Sequence, residues 1–567
     1  VFFPIVFMDG TTGRLFREFS IVVSGSVIIS SFAALTFTPM LATKLLIKRE
    51  QQSWFYRKTE PFFEGMNRVY SQSLAAFLKR RWIALPFTIV TILLIGVLWN
   101  TIPAEMAPLE DRSQISINTM GAEGVTYEYI RDYTEDINHL VDSIIPDAEA
   151  VTARVSSGSG NVRITLKDMK DRDYTQMEVA EKLSKAVQKK TMARSFVQQS
   201  SSFGGRRGGM PVQYVLQATN IEKLQEVLPK FMTKVYENPV FQMADVNLKF
   251  SKPEARININ RDKASIMGVS TKNIAQTLQY GLSGQRMGYF YMNGKQYEIL
   301  GEINRQQRNK PADLKGIYIR SDNGNMVQLD NLIELTGGIA PPKLYRYNRF
   351  VSATISAGLA DGKTIGQGLD EMDKIAKETL DETFRTALTG DSKEYRESSS
   401  SLMFAFILAI VLIYLILAAQ FESFKDPLII MLTVPLAIAG ALVFMYFGDI
   451  TMNIFSQIGI IMLIGLVAKN GILIVEFANQ KQEAGEDKMR AIKDASLQRL
   501  RPILMTSAST ILGLIPLAYA TGEGCNQRIA MGTAVVGGML ISTLLTMYIV
   551  PAIYSYVSTN RSKLKTE

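Results

Sequence analysis

The sequence predicts a polytopic α-helical membrane protein carrying one large extramembrane α/β domain, and three observations predict it. Seven segments have the length and apolarity of membrane helices: Ile21–Leu46, Trp82–Trp99, Leu402–Ala419, Pro427–Phe447, Ile454–Phe477, Pro502–Ala520 and Ile529–Val557. A hydrophilic block of roughly 300 residues separates the second span from the third, so the mean hydropathy of +0.08 averages two unlike parts. The basic residues are sorted as well. Residues 47–81 carry eight Lys or Arg, residues 479–501 carry six, and the tail adds Arg561, Lys563 and Lys565. The short connections Gly448–Asn453 and Thr521–Gln527 carry none. The positive-inside rule makes the basic segments cytoplasmic and places the large block outside. The net charge of +9 is therefore explained by topology, and nucleic-acid binding is not expected.

The chain opens on VFFPIVFMDG, apolar from its first residue, which reads as the end of a membrane helix whose beginning is absent. An internal repeat supports that reading. Ser24–Pro39 (SGSVIISSFAALTFTP) and Val536–Pro551 (VGGMLISTLLTMYIVP) align at a constant offset, matching Gly25 with Gly537, Ile29 with Ile541, Ser30 with Ser542 and Pro39 with Pro551. Duplicated halves are an established transporter architecture. Thr59-Glu60-Pro61 then opens a helix with Pro in an early position. Phe62, Met66, Tyr70, Leu74 and Phe77 recur at helical spacing, so this helix either lies on the cytoplasmic membrane surface or serves as a packed connector.

The external block alternates strand patterns (Ile115–Thr119, Val162–Lys167, Val212–Ala218, Ala255–Ile259) with helical ones (Tyr127–Ile144, Gln176–Lys189, Ile221–Val235). This implies two small α/β subdomains and an insertion from about Asn258 to Pro342, holding a hairpin that turns at Asn293-Gly294. The Gly-rich stretches SSGSG and FGGRRGG read as flexible segments. Neither has the Lys-Ser/Thr ending of a phosphate loop.

Chemistry concentrates at Lys469. It lies within Ile454–Phe477, its ammonium roughly 5 Å from mid-membrane by helical rise. A cation there is costly unless it pairs, snorkels or lines a polar path, so its default reading is functional. Glu476 is seven residues on, about 10 Å along the axis, too far for direct pairing. His139, the single histidine, falls in the external block, and Cys525 is the single cysteine, so no disulfide framework exists. In the following span Arg499 and Thr506 share a helical face, with Ser509 and Thr510 nearby. They either anchor to headgroups and backbone carbonyls or form a polar network with Lys469. No nucleophile–base pair, metal-ligand cluster or nucleotide site is recognisable, so no catalytic residue, metal or cofactor is expected.

GLVAKNGILIVEFA, followed by RLRPILMTSASTILGLIPL, closely resembles the resistance–nodulation–division exporters, best their hydrophobe/amphiphile efflux branch. MDGTTGRLFREFSI and FTPMLATKLL resemble the end of that family's first half, and APLEDRSQISI the start of its second periplasmic loop. The resemblance implies the end of transmembrane helix 5 and helix 6 over 1–46, a cytoplasmic helix over 47–81 and helix 7 over 82–101. Porter subdomain 1 would occupy 102–210, porter subdomain 2 residues 211–257 and 343–397, and a docking subdomain 258–342. Helices 8–12 would span 398–557, with a cytoplasmic tail at 558–567.

The resemblance further implies a proton relay of Lys469, Thr506 and Arg499, driven by the proton-motive force. Its aspartate pair belongs to a helix this sequence does not contain. Ser156, Ser157, Gly158, Ser159 and Gly160 occupy the position of a loop separating two substrate pockets, and Phe203 and Tyr214 are either pocket aromatics or, as such residues more often are, core or loop residues. Thr152 and Arg163 stand where drug exporters carry Phe. The implied assembly is an inner-membrane homotrimer with its large domain in the periplasm. It would export small amphiphilic substrates through an adaptor protein and an outer-membrane channel. A metal-ion exporter of the same superfamily and a non-transporting receptor or scaffold are the alternatives. One His and one Cys make soft-metal handling unattractive.

Overall fold

The computed structural model describes residues 10–45, 54–199, 210–340, 343–360 and 362–559. The first helix, α1 (Gly10–Leu45), keeps Pro39 in its interior. Ser26 and Thr36 donate to the carbonyls of Val22 and Phe32 one turn back, so their hydroxyls stay satisfied in an apolar setting. The helix α2 (Trp54–Lys79) begins upstream of Thr59-Glu60-Pro61, leaving Pro61 inside it and not at its start. Tyr70, Leu74 and Leu78 are buried. The Tyr70 hydroxyl donates to the Met547 carbonyl at 2.7 Å, and Ser73 Oγ lies 3.0 Å from the Tyr548 hydroxyl. Arg501 pairs with Glu60 at 2.9 Å. One face of the helix thus packs on the bundle, while Phe62 and Val69 remain exposed on its outer face. A third helix, α3 (Ala84–Thr101), follows.

The β-rich block comprises two sheets and an insertion. The first unit contains β1 (Gln114–Met120), α4 (Tyr127–Ile144), β2 (Ala150–Ser156), β3 (Ser159–Thr165), α5 (Gln176–Val187) and β4 (Arg194–Gln199), its sheet ordered β2-β3-β1-β4. Alternation in β1 buries Ile115 and Ile117 against Tyr133 and Ile137 of α4 and Leu183 of α5. The second unit begins with β5 (Val212–Ala218), α6 (Ile221–Glu237) and β6 (Phe241–Val246).

The insertion runs through β7 (Lys252–Ile259), α7 (Arg261–Ile266), α8 (Thr271–Leu282), β8 (Gln285–Met292), β9 (Lys295–Gly301), β10 (Tyr318–Arg320), β11 (Met326–Gln328) and β12 (Ile333–Ala340). The chain leaves on β7 and returns on β12, paired antiparallel from Lys252↔Ala340 to Ile259↔Ile333. Asn293 (φ 52°) and Gly294 (φ 73°) make the predicted tight turn of the β8–β9 hairpin. The second unit closes with β13 (Tyr345–Tyr347), β14 (Phe350–Leu359), α9 (Ile365–Thr379) and β15 (Arg385–Leu388).

Glu128 at the start of α4 accepts from both terminal nitrogens of Arg305 in the insertion. That hydrogen-bonded guanidinium holds the Glu128 carboxyl down at about 2, against an ordinary 4.5. A depressed carboxylate contributes above its ordinary value and loses its contribution as pH falls through about 2. The Arg305→Ala variant is expected to return Glu128 titration toward 4.5, read by carboxyl NMR shifts.

The remaining chain forms most of a membrane bundle: α10 (Gly390–Phe421), α11 (Lys425–Met431), α12 (Thr433–Phe447), α13 (Ile454–Glu483), α14 (Lys488–Ala518) and α15 (Cys525–Val557). Among the described residues seven segments are long and apolar enough to cross a membrane, the α11–α12 pair counting as one. Pro435 cannot donate to the carbonyl four residues back, and the helix breaks between α11 and α12. Thr433 Oγ1 donates to the Ile430 carbonyl at 2.7 Å beside that break. The helix α14 starts well before Pro502, capped by Asp487, because Ala491, Ile492, Ala495 and Leu500 already form an apolar face that packs into the bundle.

At the end of the bundle remote from the β-rich block, Asn479 donates to the buried Asp426 at 3.1 Å. The Tyr554 hydroxyl donates to Asn479 Oδ1 at 2.5 Å and accepts from Gln482 at 2.6 Å. Tyr554→Phe removes both bonds from a buried site. The expected cost is about 1–3 kcal/mol, seen as a lower melting temperature in detergent.

Candidate functional site

The site is set by the phase of α13. Asn453 fixes its start by accepting from the backbone of Phe455 and Ser456, and apolar side chains then carry the helix into the bundle. Adjacent residues on a helix differ by about 100° in direction. Asn470 points inward and is 2% exposed, so Lys469 points to the outer face and is exposed. Gly465, Leu466, Ile472 and Leu473, one turn to either side, are half-buried around it. Among the described residues no hydrogen bond or ion pair engages Lys469, and Glu476 instead accepts from Gln480 at 3.0 Å. The result is an ammonium held at mid-span on an apolar face.

The three proton-relay candidates are not joined to one another. Thr506 Oγ1 donates to the Ile503 carbonyl of its own helix at 3.2 Å. The Arg499 guanidinium lies over the Phe477 ring, 4.4 Å from its centroid. Its Nε is buried without an acceptor among the described residues. A cation on an aromatic face is partly compensated, which lets Arg499 sit near the apolar boundary.

The polar network inside the bundle uses the neighbouring residues. Asn470 Nδ2 donates to Ser507 Oγ at 3.3 Å and to Thr543 Oγ1 at 3.4 Å, and Thr543 Oγ1 donates to Ser507 Oγ at 3.2 Å. All three residues are buried. They tie α13, α14 and α15 together directly behind Lys469. Sequence reading does not single out Asn470, Ser507 or Thr543. Their signal is a polar residue directly following Lys469 and Thr506, and a Ser-Thr pair in the repeated segment.

The proposed substrate-path residues separate. Ser156 and Ser159 pair across a tight β2–β3 turn made by Ser157 and Gly158 (φ 83°). The short segment read as flexible is therefore a hairpin turn closed by paired strands. Gly160 sits against Thr134, leaving no room for a side chain. Tyr214 is a core residue and not a cavity aromatic: it is 2% exposed, stacks on Phe231 and donates to Asp373 at 2.9 Å. Burial raises its phenol above the ordinary value. Phe203 and the FGGRRGG stretch lie outside the described residues.

Two cavities of about 380 Å³ each occur elsewhere. One lies between the two α/β units, walled by Phe196, Gln198, Met210, Met243 and Leu359, with Glu105 and Lys363 at its edge. Burial pushes the Glu105 carboxyl above the usual carboxylate range, opposed by the hydrogen bond it accepts from Thr451. The other opens between α3, α10, α12 and α13, walled by Ile95, Trp99, Leu402, Phe406 and Ile460. Both have the mixed, largely apolar lining that suits amphiphilic ligands.

A membrane bundle with a mid-span cation that has no partner among the described residues, joined to a large α/β block, points to a polytopic membrane transporter. The chain belongs to the AcrB/AcrD/AcrF family of resistance–nodulation–division permeases, whose family model matches residues 1–558. It is 31% identical over 574 aligned residues to an uncharacterized transporter of Haemophilus influenzae (strain ATCC 51907 / DSM 11121 / KW20 / Rd). That match covers 100% of this chain and 56% of the relative, so the chain spans little more than half the relative's length.

Proposed function

We propose that this chain is the energy-coupling and porter portion of a proton-driven exporter of amphiphilic compounds. The observation that carries the reading is Lys469, a cation facing out of the bundle at mid-span. Ionised carboxylates on a helix packed against that face would hold the ammonium charged at low desolvation cost. Protonating one of them weakens that attraction and favours a second packing of the same helices. Asn470, Ser507 and Thr543 keep α13, α14 and α15 moving as a unit, so a change of pairing at Lys469 displaces three helices together. Arg499 and Thr506 extend the polar face along α14 toward the basic, cytoplasmic side.

The charge distribution supports an inner-membrane orientation with the β-rich block in the periplasm. The family supports a homotrimer working with a periplasmic adaptor and an outer-membrane channel. Amphiphilic cargo is favoured by the two cavities. The test uses the full-length transporter in proteoliposomes loaded with a fluorescent amphiphile. Export must appear when a pH gradient is imposed and collapse when a protonophore dissipates it. Export that ignores the gradient would remove the proton-driven reading.

A further inference from the structure

The linker between α3 and β1 carries the motif APLEDRSQISI, and its two carboxylates hold two helices that are remote in sequence. Glu110 is fully buried and accepts from the backbone N–H of Gln527 at 2.9 Å and of Asn526 at 3.4 Å. Those are donors of the first turn of the membrane helix α15, whose N-cap residue, Gly524, has no side chain to satisfy them. Asn526 Nδ2 reciprocates by donating to the Leu109 carbonyl at 2.7 Å. The next residue, Asp111, accepts from the backbone N–H of Gln176 at 2.9 Å, in the first turn of α5. Its other oxygen takes the buried Arg172 guanidinium. Gln176 closes the junction: its amide donates to the Glu110 carbonyl and accepts from the backbones of Arg112 and Gln114.

The same linker is knitted to the helix that bears Lys469. Met452 donates to the Pro103 carbonyl at 2.8 Å, Glu105 to the Met452 carbonyl at 3.0 Å, and Ile454 to the Met106 carbonyl at 3.2 Å. Residues 103–111 therefore bind the start of α13, then the start of α15, and then enter the first α/β unit at β1 and α5. A buried carboxylate on helix N–H groups makes a strong, directional joint, because the bonds are charge-assisted and aligned with the helix dipole. The glycines Gly522 (φ 87°) and Gly524 (φ 68°) just before α15 supply a pliable lead-in, so Glu110 fixes the helix end where its own loop does not.

We propose that Glu110 and Asp111 form the mechanical joint between the membrane bundle and the first α/β unit, with Glu110 the positioning residue that delivers displacement of α15 to α5 and its sheet. The direction of this transmission rests on the proton-driven reading, whereas the existence of the joint does not. Breaking it uncouples two processes: proton movement through the bundle continues, while export fails.

The experiment uses the full-length transporter in proteoliposomes, with wild type, Glu110→Ala and Glu110→Gln compared by three readouts. Export and gradient dissipation are followed by fluorescence. Maleimide labelling of Cys525, in the first turn of α15, is followed by peptide mass spectrometry. In Glu110→Ala, export is expected to fall about ten-fold and Cys525 labelling to rise about ten-fold, the scale of losing charge-assisted hydrogen bonds. Gradient dissipation should persist. Glu110→Gln keeps one acceptor and should fall between the two, serving as the folded comparison if the alanine variant expresses poorly.

Unchanged export and labelling in both variants would overturn the joint. So would loss of export and gradient dissipation in equal proportion, since that marks general damage. If wild type exports without a gradient, the proton-driven reading fails on its own, and the labelling contrast still decides whether Glu110 holds α15.

Discussion

Replacing Lys469 with Met in the full-length transporter is expected to reduce gradient-driven export to the level of protein-free vesicles without lowering stability. The two side chains have similar length, so packing on the outer face of α13 changes little. What is lost is the charge. An unpaired lysine near the centre of a span costs about 2.5–3.5 kcal/mol on insertion scales, and carboxylates left facing the methionine can neutralise by taking up protons, so the melting temperature should stay near that of the wild type. A residue kept at such cost for structure alone would show the opposite pattern, export intact and stability lost. Retained export in Lys469→Met would end the assignment of Lys469 to energy coupling. The measurement pairs dye export under an imposed pH gradient with thermal melting of the purified protein in detergent.

Gly532→Val is expected to have a large structural effect on the bundle. A Cβ at Gly532 would lie 2.5 Å from the Ala518 backbone nitrogen and 2.7 Å from the Leu517 carbonyl carbon. These are main-chain atoms of the end of α14, so no rotamer change can relieve the contact and the two helices must separate. Overpacking of this kind costs about 1–3 kcal/mol even where side chains can yield, and here they cannot. Expression and melting temperature should both fall. A Cβ added at Gly513 in α14 would meet nothing within 4 Å, so Gly513→Ala should be neutral or slightly stabilising through helix propensity. Equal behaviour of the two variants in fluorescence-detected size-exclusion melts would contradict the close α14–α15 approach.

Much of the fold was legible in the sequence because its signals are local. Apolar length marked the spans, period-2 alternation marked β1 and β5, and Asn293-Gly294 marked its hairpin turn. Helix α4 coincides with its predicted range. The errors share a cause. Helices α2 and α14 begin earlier than the prolines suggested, because packing against neighbouring helices outweighs the hydrogen bond lost at Pro61 and Pro502. Ser156–Gly160 read as a flexible loop, yet the paired strands on either side close it into a turn.

The candidate site was half legible. A lysine inside an apolar span announces itself by desolvation cost, whatever surrounds it. Its partnerships do not, because one residue of helical phase separates an outward Lys469 from an inward Asn470, and a half-buried Thr506 from a buried Ser507. The family motif named the outward residues, and the hydrogen bonds belong to the inward ones.

By itself the sequence determined the membrane class, the seven candidate spans found among the described residues, the orientation favoured by its charges and the position of the costly cation. These follow from hydrophobic and electrostatic free energies that sum residue by residue along the chain. Tertiary structure alone decided that Asn470, Ser507 and Thr543 hold the bundle behind Lys469, and that Glu110 caps a helix more than four hundred residues away. Such hydrogen bonds depend on helix phase and on the relative placement of distant segments, quantities that no local sum contains.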